Sequence, residues 1–80
     1  MSDAAAAALV AQARQLYELA WLGKSARVRE LATARLDAAM RELQLVDPAR
    51  YQALCDECFA RADEMAARRA VLEWETEVQA

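Results

Sequence analysis

Hydrophobic residues recur along this chain with helical spacing, in three blocks. In the first, Leu9, Val10, Ala13, Leu16, Tyr17 and Ala20 fall within an arc of about 120°, with Arg14, Gln15 and Glu18 opposite. The pattern predicts an amphipathic helix over residues 3–22, opened by Ser2 or Asp3 as a cap and stopped by Gly23. Leu19, Trp21 and Leu22 lie at or beyond the edges of the arc, where they close the helix end or face a partner. For Trp21 the expectation is a lid over the core.

Gly23-Lys24-Ser25 reads as a stop, a short turn and a fresh N-cap, a spacing that favours an antiparallel helical hairpin. The second helix, over residues 26–45, carries two apolar stripes. Val28, Ala32, Leu36, Ala39 and Leu43 form one, and Leu31, Ala34, Ala38 and Leu45 form another roughly 120° away. A helix with two apolar faces sits between neighbours, and the first and third helices of the same chain are the expected ones.

Val46-Asp47-Pro48 is the sharpest local signal. Asp accepts amide hydrogen bonds at an N-cap, and Pro suits the first helical position because its missing donor would be unpaired anyway. No breaker follows, so a third helix is expected over residues 48–78, up to about 48 Å long against about 30 Å for the others. Its seam reads Tyr51, Cys55, Cys58, Ala62, Met65, Arg69 and Leu72, with Arg69 interrupting a coiled-coil-like repeat. Glu57 with Arg61 and Glu64 with Arg68 have the spacing of i, i+4 ion pairs, each contributing about 0.2–0.5 kcal/mol.

Past Arg69 the apolar pattern changes face. Val71, Trp74 and Val78 form a stripe rotated away from the seam and surrounded by Glu73, Glu75 and Glu77. Upstream, Asp56/Glu57 and Asp63/Glu64 stand seven residues apart and share a helix face. Such an acidic ridge is either a solvated surface or a mimic of nucleic-acid charge that occupies a basic groove on a target. The candidate partner-binding residues are therefore Asp56, Glu57, Asp63, Glu64, Val71, Glu73, Trp74, Glu75, Glu77 and Val78.

Composition sharpens this picture. Eighty residues make one domain near the size at which a single core is only marginally adequate, so a homodimer is expected, with the third helix supplying much of the interface. The chain is 58% hydrophobic, but 21 residues are Ala and there is no Ile, so core mass must come from ten Leu, five Val and a few aromatics. The net charge of −3 argues against a protein that lives on nucleic-acid phosphate. Acidity is concentrated late: residues 1–46 hold six basic and five acidic side chains, residues 47–80 four and eight. No apolar run approaches the roughly 18–20 residues of a membrane span, and Ala4–Ala8 lacks the flanks of a secretory signal, so a cytoplasmic protein is expected. Nine Arg against one Lys, with abundant Ala, fits a high-GC bacterium or its phage.

Catalytic chemistry finds little footing. Cys55-Asp56-Glu57-Cys58 is a CxxC, but a structural zinc needs four ligands and the chain has no other Cys and no His. The open readings are small core residues, a site shared between two subunits, or a redox pair. Lack of His also removes a di-iron bundle and most acid–base arrangements, so no cofactor, metal or enzymatic activity is expected. A helix-turn-helix reader would need basic and amide side chains where Asp47-Pro48-Ala49-Arg50 stands.

The expected fold is an all-α, three-helix domain, an antiparallel hairpin followed by a long third helix. The expected function is a small non-catalytic adaptor or inhibitor of a protein target. The alternatives are a CxxC-based metal or redox switch and a helical nucleic-acid-binding regulator. In size, acidity and lack of motifs the chain resembles the helical inhibitors that phages encode, anti-CRISPR proteins among them. That resemblance is one of profile and covers no particular residues.

Overall fold

Each helix begins where a short polar side chain takes up a free backbone amide. In the computed structural model, which describes residues 2–79, these helices are α1 (Asp3–Leu22), α2 (Ala26–Val46) and α3 (Pro48–Gln79). Ser2 Oγ accepts from the Ala5 amide and Ser25 Oγ from the Val28 amide, both at 3.2 Å. Asp47 serves two helices at once: its carboxylate accepts from the Arg50 amide at 3.1 Å, and its own amide donates to the Leu43 carbonyl at 2.8 Å. One residue thus ends α2 and starts α3, with Pro48 in the first turn where no donor is needed.

The α1–α2 turn depends on Gly23 for space rather than for an unusual backbone conformation. Its φ of −56° and ψ of 145° are open to any residue. A Cβ there would lie 2.6 Å from the Leu19 carbonyl oxygen and 2.9 Å from Val28 Cγ1. The glycine lets the start of α2 close down on the end of α1, and its amide donates to Leu19 at 2.9 Å.

Because each connection reverses direction, α3 runs parallel to α1, and a ladder of contacts records the register. Arg50 reaches the Asp3 carbonyl, Arg14 meets Glu57, the Tyr17 hydroxyl donates to the Cys58 carbonyl, Glu18 meets Arg61, and Arg69 reaches the Trp21 carbonyl. The core between the helices is thin. Among the described residues Ala6, Ala13, Tyr17, Ala32, Ala39, Leu43, Leu54 and Met65 are buried, and of their large side chains Leu43 and Met65 alone are wholly enclosed. Half of that set is alanine, which brings helix axes close but removes little area from water.

The structure departs from the sequence pattern in two places. The second stripe of α2 is not sandwiched: Leu31 and Leu45 are 48% and 85% exposed, and Ala34 and Ala38 face solvent. In a triangular bundle both neighbours lie on one side of a helix, so a stripe about 120° from the inward face points outwards. The ion pairs expected within α3 are also replaced. Glu57 bonds Arg14 and Arg61 bonds Glu18, both across to α1, while Arg68 contacts the Met65 sulfur and makes no pair with Glu64 among the described residues. Parallel packing places α1 partners at the same height, and these win over the exposed intrahelical option.

Candidate protein interface

Up to Arg69, α3 is anchored to α1 by specific polar contacts. Arg14 and Glu57 form a bidentate pair, Nε and Nη2 each 2.9 Å from a carboxylate oxygen. The Arg14 guanidinium holds the Glu57 carboxyl below its ordinary range, with burial opposing. Arg61 lies 5.8 Å from the Tyr17 ring centroid while bonding Glu18 at 3.2 Å. Arg69, which looks like a break in the apolar seam, has a structural use: it donates to the Trp21 carbonyl at 3.0 Å and to Glu73 at 2.8 Å. With Arg29 donating to the Gly23 carbonyl at 2.8 Å, it supplies positive charge where the dipole of α1 ends.

Beyond Arg69 the bundle stops and the helix does not. Residues 70–79 are all exposed and extend α3 by about 15 Å past its last bond to α1. Met65 and Trp74 are nine residues apart, so they leave the helix in opposite directions. Met65 is buried, and Trp74 points away from the bundle at 63% exposure. Val71 and Val78 stand beside it, 55% and 62% exposed.

The ten candidate residues divide accordingly. Val71, Trp74 and Val78 share one outward stripe, with Glu75 along one edge and Glu77 along the other. Asp56, Asp63 and Glu64 are exposed on the outer side of the docked half, Asp56 accepting from Gln52 at 3.0 Å. Glu57 and Glu73 stand apart from this set, because each is tied to an arginine of the same chain.

One feature of the surface was missed by periodicity. Phe59 is 85% exposed, one position past the seam residue Cys58. It stands at the rim of an open cleft of about 430 Å³ lined by Tyr17, Ala20, Trp21, Leu36, Asp37, Met40, Cys55 and Cys58. Trp21, expected as a lid over the core, is instead half-buried in this cleft. A lone aromatic beside a seam has no periodic partner, so only three-dimensional packing reveals whether it is covered.

The CxxC pair offers weak nucleophiles. Both cysteines are free and half-buried, and burial, reinforced by Glu57, pushes the Cys58 thiol up. A thiol so placed is disfavoured as a thiolate, the form that attacks disulfides or binds metal. No group of three or more His, Cys, Asp or Glu among the described residues is arranged to hold a metal ion. No helix of the described residues is long and apolar enough to cross a membrane. Comparison with protein-family models, with curated proteins and with solved structures finds no match, so the geometry of this chain alone carries the functional reading.

Proposed function

We propose that this chain is a non-catalytic interaction module, an adaptor or inhibitor that engages a protein target through the outer face of α3. The observation that carries this reading is the overhang, where Trp74 stands outward at 63% exposure between two valines and is rimmed by glutamates. Tryptophan is enriched among residues that dominate binding energy, and a helix presenting i, i+3 and i+7 anchors suits a groove on a partner. Asp63, Glu64, Glu75 and Glu77 carry no ion pair among the described residues, which leaves their charge available. The target this surface fits has an apolar groove with a basic margin, such as a site that otherwise receives nucleic acid. A phage-type inhibitor would act by occupying such a site.

The test is capture of binding partners from the source organism with the wild-type chain and with Trp74→Ala and Glu64→Lys/Glu75→Lys, followed by hydrogen-exchange footprinting of the complex. Loss of a partner in both variants at unchanged helicity, with protection over residues 63–78 in the wild type, is the expected result. Undiminished capture by both variants, or protection confined to α1 and α2, contradicts the reading. Binding should also weaken as salt rises, because the rim charges are exposed and screened over about 10 Å at 0.1 M.

A further inference from the structure

Between α2 and α3 the bundle carries a cleft with aromatic walls and charge of one sign. Among the described residues, every polar contact that α3 makes with another helix beyond its first turn goes to α1, through Glu57, the Cys58 carbonyl, Arg61 and Arg69. The α2 side is left as an apolar groove of about 430 Å³, within the roughly 300–1,000 Å³ typical of small-molecule sites. Into it α1 brings Tyr17 and Trp21, α2 brings Asp37 and Met40, and α3 brings Phe59. We propose that this cleft binds a small organic cation, an ammonium group on a flat apolar body, with the body against Trp21 and Phe59 and the charge at Asp37. The site lies on the α2 side of α3, away from Trp74, and stands independently of the reading of the overhang.

Charge is the first observation that selects this ligand. Asp37 is the one charged residue on the walls of the cleft, it is exposed, and it makes no ion pair among the described residues. Arg41, one turn further along α2, is neither paired with it nor on the walls. Across the cleft, Asp56 and Asp63 stand exposed about one turn to either side of Phe59, so the rim on α3 is acidic as well. Other hollows of the molecule differ in this respect. The one between α1 and α3 has Arg14 and Arg50 on its walls, and the notch under the overhang has Lys24, Arg29 and Arg69. Those two carry cations of their own, whereas the aromatic cleft is lined by none.

The second observation is the set of rings. The face of an aromatic ring is electron-rich and attracts a cation, tryptophan most strongly, while the same face takes up hydrocarbon. Met40 adds an unbranched, polarisable side chain that adapts to the body of a ligand. The third observation is a precedent inside the same fold. Arg61 lies 5.8 Å from the Tyr17 ring centroid and bonds Glu18 at 3.2 Å, so an aromatic ring and a carboxylate together hold one cation of the chain itself. Trp21 and Phe59 with Asp37 repeat that combination on the α2 side. An exposed carboxylate alone holds a cation weakly, and an apolar groove alone does not choose between charges. Together they favour a ligand that is both greasy and positive.

Fluorescence titration of the Trp74→Phe chain, in which Trp21 is the sole tryptophan, tests the proposal with three ligands sharing a phenyl body. These are 2-phenylethylamine, a cation at neutral pH, the neutral 2-phenylethanol and the anion 3-phenylpropionate. The amine should give a saturable change and bind about threefold to tenfold more tightly than the alcohol, with the anion weakest. Asp37→Asn should bring the amine level with the alcohol, and added salt should narrow the gap in the same way. Phe59→Ala, at a side chain 85% exposed and so removable without cost to the core, should weaken amine and alcohol alike by at least about threefold. Leu45→Ala, equally exposed on α2 and outside the cleft, should change neither. Equal affinity for the three ligands, a preference for the amine that survives Asp37→Asn, or no saturable response would overturn the proposal. So would tighter binding of a capped Leu-Arg-Leu peptide, which would give the cleft to a side chain of a protein. A sedimenting mass of two copies that falls to one on adding the amine would give it to a second copy and overturn the proposal equally.

Discussion

Between Pro48 and Arg69, α3 lies along α1, and Glu57, Arg61 and Arg69 each bond a group of α1. Between Ala70 and Gln79 the same unbroken helix has no such neighbour, and its side chains are exposed. The two halves share helix-forming composition, so local propensity does not separate them. What differs is the supply of packing partners, because α1 ends at Leu22 while α3 continues. A strong helix former therefore carries Trp74 beyond the shelter of its own fold, and exposure there follows from length.

The largest effects are expected where the docked half meets the core. Met65→Ala removes a wholly enclosed side chain, and in a core built half of alanine little can collapse into the space. It should cost about 2–5 kcal/mol in urea unfolding; a loss below about 1 kcal/mol would show that the docked half is no better packed than the overhang. Gly23→Ala comes next. Its Cβ would stand 2.6 Å from a backbone oxygen, which cannot swing aside as a side chain can, and a destabilisation of about 1–3 kcal/mol is expected. A neutral outcome would mean that the turn relaxes freely.

The smallest effect sharpens the comparison by its pH dependence. Arg14 lowers the Glu57 carboxyl in the folded chain, so their pairing contributes fully above the ordinary carboxylate pKa of about 4.3 and is lost as pH falls through the lowered value. Both partners are partly exposed and screened by solvent, which keeps the contribution small. Glu57→Gln should lower Tm at pH 7 and make little difference at pH 2. An equal drop at both would assign the effect to packing instead of charge.

Much of the fold was legible in the sequence because its determinants are local. Ser2, Ser25 and Asp47 cap helices through amides three residues ahead, and Gly23 and Pro48 punctuate the chain at the observed boundaries. Features that depend on register between helices were not legible. Glu57 has an arginine four residues ahead on its own helix, yet it bonds Arg14, forty-three residues away, because α1 and α3 run in parallel at matched height. The outer stripe of α2 looked like a second buried face because apolar periodicity does not report which side the neighbours occupy. Of the candidate surface, the Trp74 stripe was visible as a change of face along α3, whereas Phe59 and its cleft required the packing of all three helices.

The central claim is that α3 is one straight rod whose far end projects past the bundle. Spin labels at residues 49 and 79, with Cys55 and Cys58 replaced by Ala and the labelled chain diluted into unlabelled protein, measure that directly by pulsed dipolar spectroscopy. A continuous helix separates the labelled backbone positions by about 45 Å, so a single distance near that value is predicted. A dominant distance under about 30 Å would mean that the segment folds back and shelters Trp74, which would contradict the account.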